Sequence, residues 1–278
     1  MTTTPQDRAL LLHALHRPGD PLLLANVWDA AGARLVAAAG AVAVATASAG
    51  VSWTLGHPDG DRADRTEVLA QTARIVRAAG DLPVTADLES GFADTADGVG
   101  STVTALLATG AVGVNLEDGL HGGDRPLRPV AEAAARIAAA RAAADAAGVR
   151  LFVNARTDVF LLGVGDPADR LAAAVDRARA YTEAGADGVF VPGVTDPATV
   201  AALVEAVPAP LNVLAGPGAP PVSELARLGV ARVSLGPGLA RAAYAALRLA
   251  AEEAYGRDTY DTIAGGLGYQ ELNALLAD

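Results

Sequence analysis

Two kinds of segment alternate along the chain. Short, nearly uninterrupted apolar runs recur at residues 22–26, 41–46, 83–87, 112–117, 151–156, 188–192, 211–214 and 231–235. Longer Ala- and Arg-rich stretches follow them, at 30–39, 65–79, 95–109, 130–147, 167–184, 197–207, 222–228 and 239–255. The apolar runs lack the period of two that marks a half-exposed strand, and so predict parallel strands covered on both faces. Asp166-Pro167 and Asp196-Pro197 each read as a capping acid followed by a first-turn proline. Five helical stretches end in a glycine (Gly40, Gly110, Gly148, Gly185, Gly229), which accepts the left-handed conformation that stops a helix.

Eight such units in one series predict a single-domain α/β fold, the (β/α)8 TIM barrel, over residues 1–258. The remaining segment, 259–278, predicts a C-terminal helical tail of the same domain, with a short helix at 270–277. A doubly wound open sheet is the alternative. It fits less well, because Asn26-Val27-Trp28-Asp29-Ala30-Ala31-Gly32 after the first strand is not a glycine-rich dinucleotide fingerprint.

Composition narrows the chemistry. The 278 residues contain no cysteine, and every one of the 21 basic residues is arginine. Thiolate and Schiff-base catalysis are excluded, and the absence of cysteine suits a reducing cytoplasm. A net charge of −11 argues against nucleic acid and anionic membranes as partners. No apolar run is long enough to span a bilayer, and the first seven residues lack the basic-then-apolar pattern of a secretion signal.

In a parallel barrel the strand C-termini open on one face, and the active site lies there. Read in order, those ends supply Asn26, Thr46 to Ser48, Asp87 and Glu89, Glu117 and Asp118, Arg156 and Asp158, Pro192, Asn212 and Gly236. Close carboxylates repel unless a cation neutralises them, and an all-oxygen set suits Mg2+ or Mn2+. Asp87 and Glu89, two apart, are expected to point together into the mouth. Asp59, in a loop, would reach the metal through water. Asp158 reads as a structural partner of Arg156. Ala47-Ser48-Ala49-Gly50 reads as an anion-binding turn or an ordinary small-residue turn. Asn212 would hydrogen-bond a substrate carboxylate or cap its own loop. His57 and His121 are either proton carriers or surface-loop histidines, and Trp28 reads as packing.

The ordered series Asn26-Val-Trp-Asp-Ala-Ala, Ala47-Ser-Ala-Gly50, Leu55-Gly-His-Pro-Asp59-Gly, Pro83-Val-Thr-Ala-Asp87-Leu-Glu89-Ser-Gly91, Gly113-Val-Asn-Leu-Glu117-Asp118-Gly119 and Asn154-Ala-Arg156-Thr-Asp158 resembles the isocitrate lyase / phosphoenolpyruvate mutase superfamily. The resemblance implies an enzyme that cleaves or forms a bond beside the carbonyl of a 2-oxo acid. It implies Mg2+ bound by Asp87 directly and by Asp59, Glu89 and Glu117 through water. The backbone N–H groups of Ser48, Ala49 and Gly50 would hold the substrate carboxylate or phosphonate, which Arg156 would clamp. Asn212 and Arg241 would take a second carboxylate. It also implies a homo-oligomer, a dimer or a tetramer, with the last barrel helix exchanged between subunits.

Departures from the pattern matter. Isocitrate and methylisocitrate lyases carry Lys-Lys-Cys-Gly-His after strand four, where this chain reads Gly119-Leu-His121-Gly-Gly-Asp-Arg125. The mutase uses a Lys and an Asn in that loop and a His after strand six, where this chain reads Pro192-Gly193. The retained parts can still stabilise a pyruvate-like enolate. The expectation is therefore a Mg2+-dependent carbon–carbon lyase acting on a small 2-oxo or 2-hydroxy (di)carboxylic acid, oxaloacetate decarboxylase-like or 2-alkylmalate/methylisocitrate lyase-like, with Asp59, Glu117, Arg156 and His121 as its catalytic residues. C–P bond chemistry on a phosphonopyruvate-like substrate, a non-catalytic oxo-acid-binding barrel and a phosphate-binding sugar barrel are the other readings.

Overall fold

The structure is a computed structural model and describes residues 3–122 and 124–277. Its strands are β1 (Leu22–Leu24), β2 (Val44–Ala45), β3 (Val84–Asp87), β4 (Gly113–Glu117), β5 (Phe152–Arg156), β6 (Gly188–Phe190), β7 (Leu211–Leu214) and β8 (Arg232–Ser234). The helices are α1 (Pro5–Leu15), α2 (Ala30–Ala38), α3 (Ser48–Thr54), α4 (Arg65–Ala79), α5 (Ala96–Thr109), α6 (Val130–Ala146), α7 (Arg170–Glu183), α8 (Pro197–Ala206), α9 (Val222–Arg227), α10 (Gly238–Arg257) and α11 (Tyr269–Leu276).

Every strand pairs in parallel with its neighbour, in the order β1-β8-β7-β6-β5-β4-β3-β2. A bridge between Val27 and Thr46 joins β1 to β2 just past their C-terminal ends, so the sheet closes at its mouth. This is the (β/α)8 barrel that the apolar runs predict. The runs are apolar because outward side chains such as Val84, Val114 and Val153 are buried under the helices. The inward positions are more polar. Asn154 Nδ2 donates to Asn115 Oδ1 at 2.9 Å and lies 3.1 Å from Asn212 Oδ1, and Arg232 Nη2 lies 3.3 Å from Asn115 Oδ1.

Three of these helices, α1, α3 and α11, lie outside the eight repeats. α1 is started by a capping box between Thr4 and Asp7 with Pro5 in the first turn, and it buries Ala9 and Leu12 against Leu22, Leu24 and Phe152. It plugs the N-terminal end of the barrel. α3 begins at Ser48, where a turn was expected. α7 starts at Arg170, later than Asp166-Pro167 suggests, because that pair caps a separate turn first. α10, the eighth barrel helix, leans away from the sheet: Ala240 and Glu253 are its buried residues, and Leu23 on the outward face of β1 is 46 % exposed. Beyond α10, Glu253 accepts hydrogen bonds from the Thr259 hydroxyl and from the N–H groups of Asp261 and Thr262, and α11 packs on α2. Among the described residues no helix is long and apolar enough to cross a membrane.

His16, just past α1, stacks on Phe152 at 3.7 Å between ring centroids, with Nδ1 2.7 Å from the Leu12 carbonyl. Burial, with Arg232 adding, pushes its pKa from 6.5 down to about 3. The unfolded chain therefore takes up a proton first as pH falls below 6.5. This group's contribution is complete above that pH and is lost progressively down to about 3. Between pH 6.5 and 5 it removes about 2 kcal/mol, at ~1.4 kcal/mol per pH unit. Urea melts at the two pH values are expected to show that loss in the wild type and a smaller one in His16→Leu. Equal losses would refute the assignment.

Candidate active site

The register of the sheet brings Glu117 beside Arg156 and Asp87 beside Asn115 at the barrel mouth. Ser48, Asp59, Asp87 and Arg156 line one side of a cavity of about 170 Å3 there. The Asp87 N–H donates to Thr46 Oγ1 at 2.9 Å, and Ser48 Oγ lies 3.4 Å from Asp87 Oδ2. Ser48 and Ala49 line the cavity from the first turn of α3, where helix N–H groups have no carbonyl partner inside the helix. Gly50 lies behind them, and a Cβ there would stand 2.8 Å from Trp28 Cβ, so Trp28 is a packing residue.

Arg156 organises the charges. Its Nη1 lies 2.5 Å from Glu117 Oε2, and its Nε and Nη2 lie 2.6 and 3.0 Å from the two oxygens of Asp158. Asp158 is thus the structural partner that its position suggests. Glu117 also holds His121, with Oε1 2.6 Å from Nε2. Burial works against ionisation of Glu117, but Arg156 and His121 outweigh it and keep its pKa below the ordinary carboxylate value. The hydrogen bond to Glu117 lifts His121 to about 9. Asp87 is pushed up to about 7, first by burial and further by Glu117 and Asp59, against the pull of Arg156. Asp59 is raised by burial and by Glu117.

Glu89 takes a different route from the one expected. β3 ends at Asp87, and Glu89 adopts φ 50, so the alternation that would aim both acids together breaks down. Its Oε2 accepts the N–H groups of Gly60 and Asp61, while its buried Oε1 has no hydrogen-bond partner among the described residues. Burial lifts its pKa to about 8. Asp61, absent from the expected set, bonds Ser90 Oγ through Oδ2 at 2.5 Å and leaves Oδ1 unpaired. Ligand atoms of Asp61, Glu89 and His121 lie within 4.8 Å of one another. The only local hint of Asp61 is Gly60 before it in a turn; its approach to Glu89 is made by the fold.

Three further expectations are corrected. Asp118 is not at the mouth: adjacent strand residues face opposite ways, and its carboxylate accepts from the Asp158 N–H, Arg177 and the Tyr181 hydroxyl. Asn212 lies inside the barrel, where its Nδ2 donates to the Val213 carbonyl at 2.9 Å and lies 3.2 Å from the Arg232 carbonyl and from Ser234 Oγ. Neither Asn212 nor Arg241 lines the cavity: Arg241 is exposed on α10 and lines a separate hollow with Trp53 and Tyr244.

A divalent cation fits these residues. Asp59, Asp87, Glu89 and Glu117 are oxygen donors, three of whose four pKa values are raised first by burial and then by one another's charge, and buried carboxylate oxygens of Glu89 and Asp61 have no hydrogen-bond partner among the described residues.

Residues 12–255 match the family model for phosphoenolpyruvate phosphomutase. An uncharacterized protein of Mycobacterium tuberculosis is 38% identical over 271 residues, 96% of each chain. The 2-methylisocitrate lyase of Escherichia coli K12 is 32% identical over 213 residues, 71% of this chain and 70% of that one. The crystal structure of a phosphonopyruvate hydrolase in complex with oxalate and Mg2+ superposes with a TM-score of 0.84 at 25% identity, covering 98% of this chain and 95% of that one. With its acids and arginine at the mouth of a closed parallel barrel, the chain belongs to the isocitrate lyase / phosphoenolpyruvate mutase superfamily of lyases and mutases.

Proposed function

We propose that the protein is a Mg2+-dependent lyase that cleaves a carbon–carbon bond of a small 2-oxo or 2-hydroxy acid through a pyruvate-like enolate. The observation that carries this reading is the convergence of Asp59, Asp87, Arg156 and Ser48 on one 170 Å3 cavity. Asp87, Asp59, Glu89 and Glu117 would hold the cation, with Asp61 and His121 beside them; Mn2+ suits the same donors. When bound, the cation supplies Lewis-acid polarisation of the substrate carbonyl.

The chain's own groups do the rest. The N–H groups of Ser48 and Ala49 receive the carboxylate. Arg156 is buried and held charged, so it offsets negative charge as it develops on the enolate oxygen. Asp59 faces the cavity, within reach of the substrate, and would take up or return the transferred proton. Glu117 and His121, joined at 2.6 Å, form a second proton-holding pair next to it. The cavity is small beside the roughly 300–1,000 Å3 of ordinary ligand sites, which suits a substrate of a few carbons.

The exposed α10 and the uncovered outward face of β1 suit self-association through helix exchange, and a cytoplasmic homo-oligomer is part of the proposal. Its unit is one barrel of residues 1–258 with the 259–278 tail. A second reading, C–P bond cleavage, draws support from the phosphonopyruvate hydrolase likeness.

Purified protein with Mg2+ is to be offered oxaloacetate, 2-alkylmalates, 4-hydroxy-2-oxo acids and phosphonopyruvate. Release of pyruvate or another 2-oxo acid from a carbon substrate is expected. Phosphate release from phosphonopyruvate alone would favour the second reading. Oxalate binding without turnover would mark a binding protein, and neither binding nor turnover would sink all three.

A further inference from the structure

The two sides of the mouth cavity differ in kind. Ser48, Asp59, Asp87 and Arg156 form one; Leu161, Phe190, Pro192, Leu214 and Pro237 form the other. Among the described residues, no lining residue on the second side carries a charge or an amide side chain. Arg156 is the cation that lines the cavity, and its guanidinium is already engaged by Glu117 and Asp158, with the Phe190 ring centroid 5.8 Å from its Cζ. The two residues expected at a second carboxylate are elsewhere: the Asn212 amide is used inside the barrel, and Arg241 lies on the exposed face of α10.

A second carboxylate placed against Phe190 and Leu214 would lose its hydration and meet no donor, and an unpaired buried charge is heavily disfavoured. An alkyl group there instead removes apolar surface from water on both partners. The geometry points to a substrate with one anionic end and one uncharged, apolar end: a monocarboxylic 2-oxo or 2-hydroxy acid with an alkyl tail, not a diacid. This inference rests on the oxo-acid reading of the site. It names Leu161, Phe190 and Leu214 as the residues that set specificity. Gly193, at φ 88, lets the chain after β6 pack against the Leu161 backbone: a Cβ there would stand 2.7 Å from the Leu161 N.

The test is calorimetric titration of the full chain, in its native assembly and in Mg2+, with three ligands. Oxalate reports the head site alone. 2-Oxopentanoate and 2-oxoglutarate share a five-carbon chain and differ by a methyl against a carboxylate at the far end. Oxalate is expected to bind, and 2-oxopentanoate to bind at least tenfold more tightly than 2-oxoglutarate. Leu161 is 45% exposed, so Leu161→Arg places a cation at the rim without burying it. That variant is expected to bind 2-oxoglutarate at least fivefold more tightly than wild type. If oxalate binds but 2-oxoglutarate equals or exceeds 2-oxopentanoate, or 2-oxopentanoate fails to bind, the specificity inference falls and the oxo-acid reading stands. If oxalate itself does not bind, the underlying reading falls and takes the inference with it.

Discussion

Asp87→Asn is expected to fold as the wild type does and to lose about 10^3-fold in turnover, about 4 kcal/mol of transition-state stabilisation. The side chain keeps its shape, so Thr46 and Ser48 keep their neighbour. What goes is the negative charge. In the folded protein that charge is unfavourable, because burial together with Glu117 and Asp59 moves the pKa from 3.8 to about 7. The folded state thus holds the proton more tightly than the unfolded one, and the stability linked to it falls as pH rises from about 4 to about 7. At pH 8 the metal-free Asn variant should therefore melt higher than metal-free wild type. Mg2+ should reverse the order: at 100-fold over its Kd a ligand of the native state adds about 2.7 kcal/mol, and the variant should gain little. Thermal melts with and without MgCl2, alongside turnover, read both effects. Unaltered activity would remove Asp87 from the chemistry.

Arg156→Met should cost about 3–5 kcal/mol of stability at pH 7, because it leaves Glu117 and Asp158 buried without their cation. Loss of the arginine raises the folded-state pKa of both acids. The deficit should therefore shrink on acidification, as the unpaired carboxylates take up protons: Glu117 does so at pH values where it stays ionised in the wild type, and Asp158, which burial already lifts to about 6 in the wild type, does so at higher pH still. Urea denaturation of the two proteins at pH 7 and pH 5 gives the gap at each. A gap below about 1 kcal/mol at both would mean that the pair contributes no more than an exposed one. Activity should fall in the same variant, since the charge facing the developing enolate is gone.

These two side chains also show how far the site was legible in the chain. Asp87, Glu117 and Arg156 were readable because each ends an apolar run, and a parallel barrel collects all such ends on one face. Glu89 was readable as an acid at the mouth but not in its aim, because its left-handed backbone conformation is set by the loop that carries Gly60 and Asp61. Asp61 left no strong local mark. Asn212 is not a strand end: β7, like the apolar run 211–214 that predicts it, continues past it to Leu214, which places the amide a layer below the cavity. α1 was missed although Thr4-Pro5-Gln6-Asp7 carries a capping signal, because the tertiary docking of Ala9 and Leu12 is what gives that helix its place.

The amino-acid sequence by itself determined the repeat, the parallel sheet, the excluded chemistries and the acids and arginine at the mouth. All of these follow from local patterning or from a residue's place at the end of a strand. Only the tertiary structure decided which polar groups share a cavity, where Glu89 and Arg241 turn, and that the far wall is apolar. Those depend on side-chain direction and on approaches between residues far apart in the chain, such as Glu89 to Asp61 and Phe190 to Leu214, which sequence spacing does not encode.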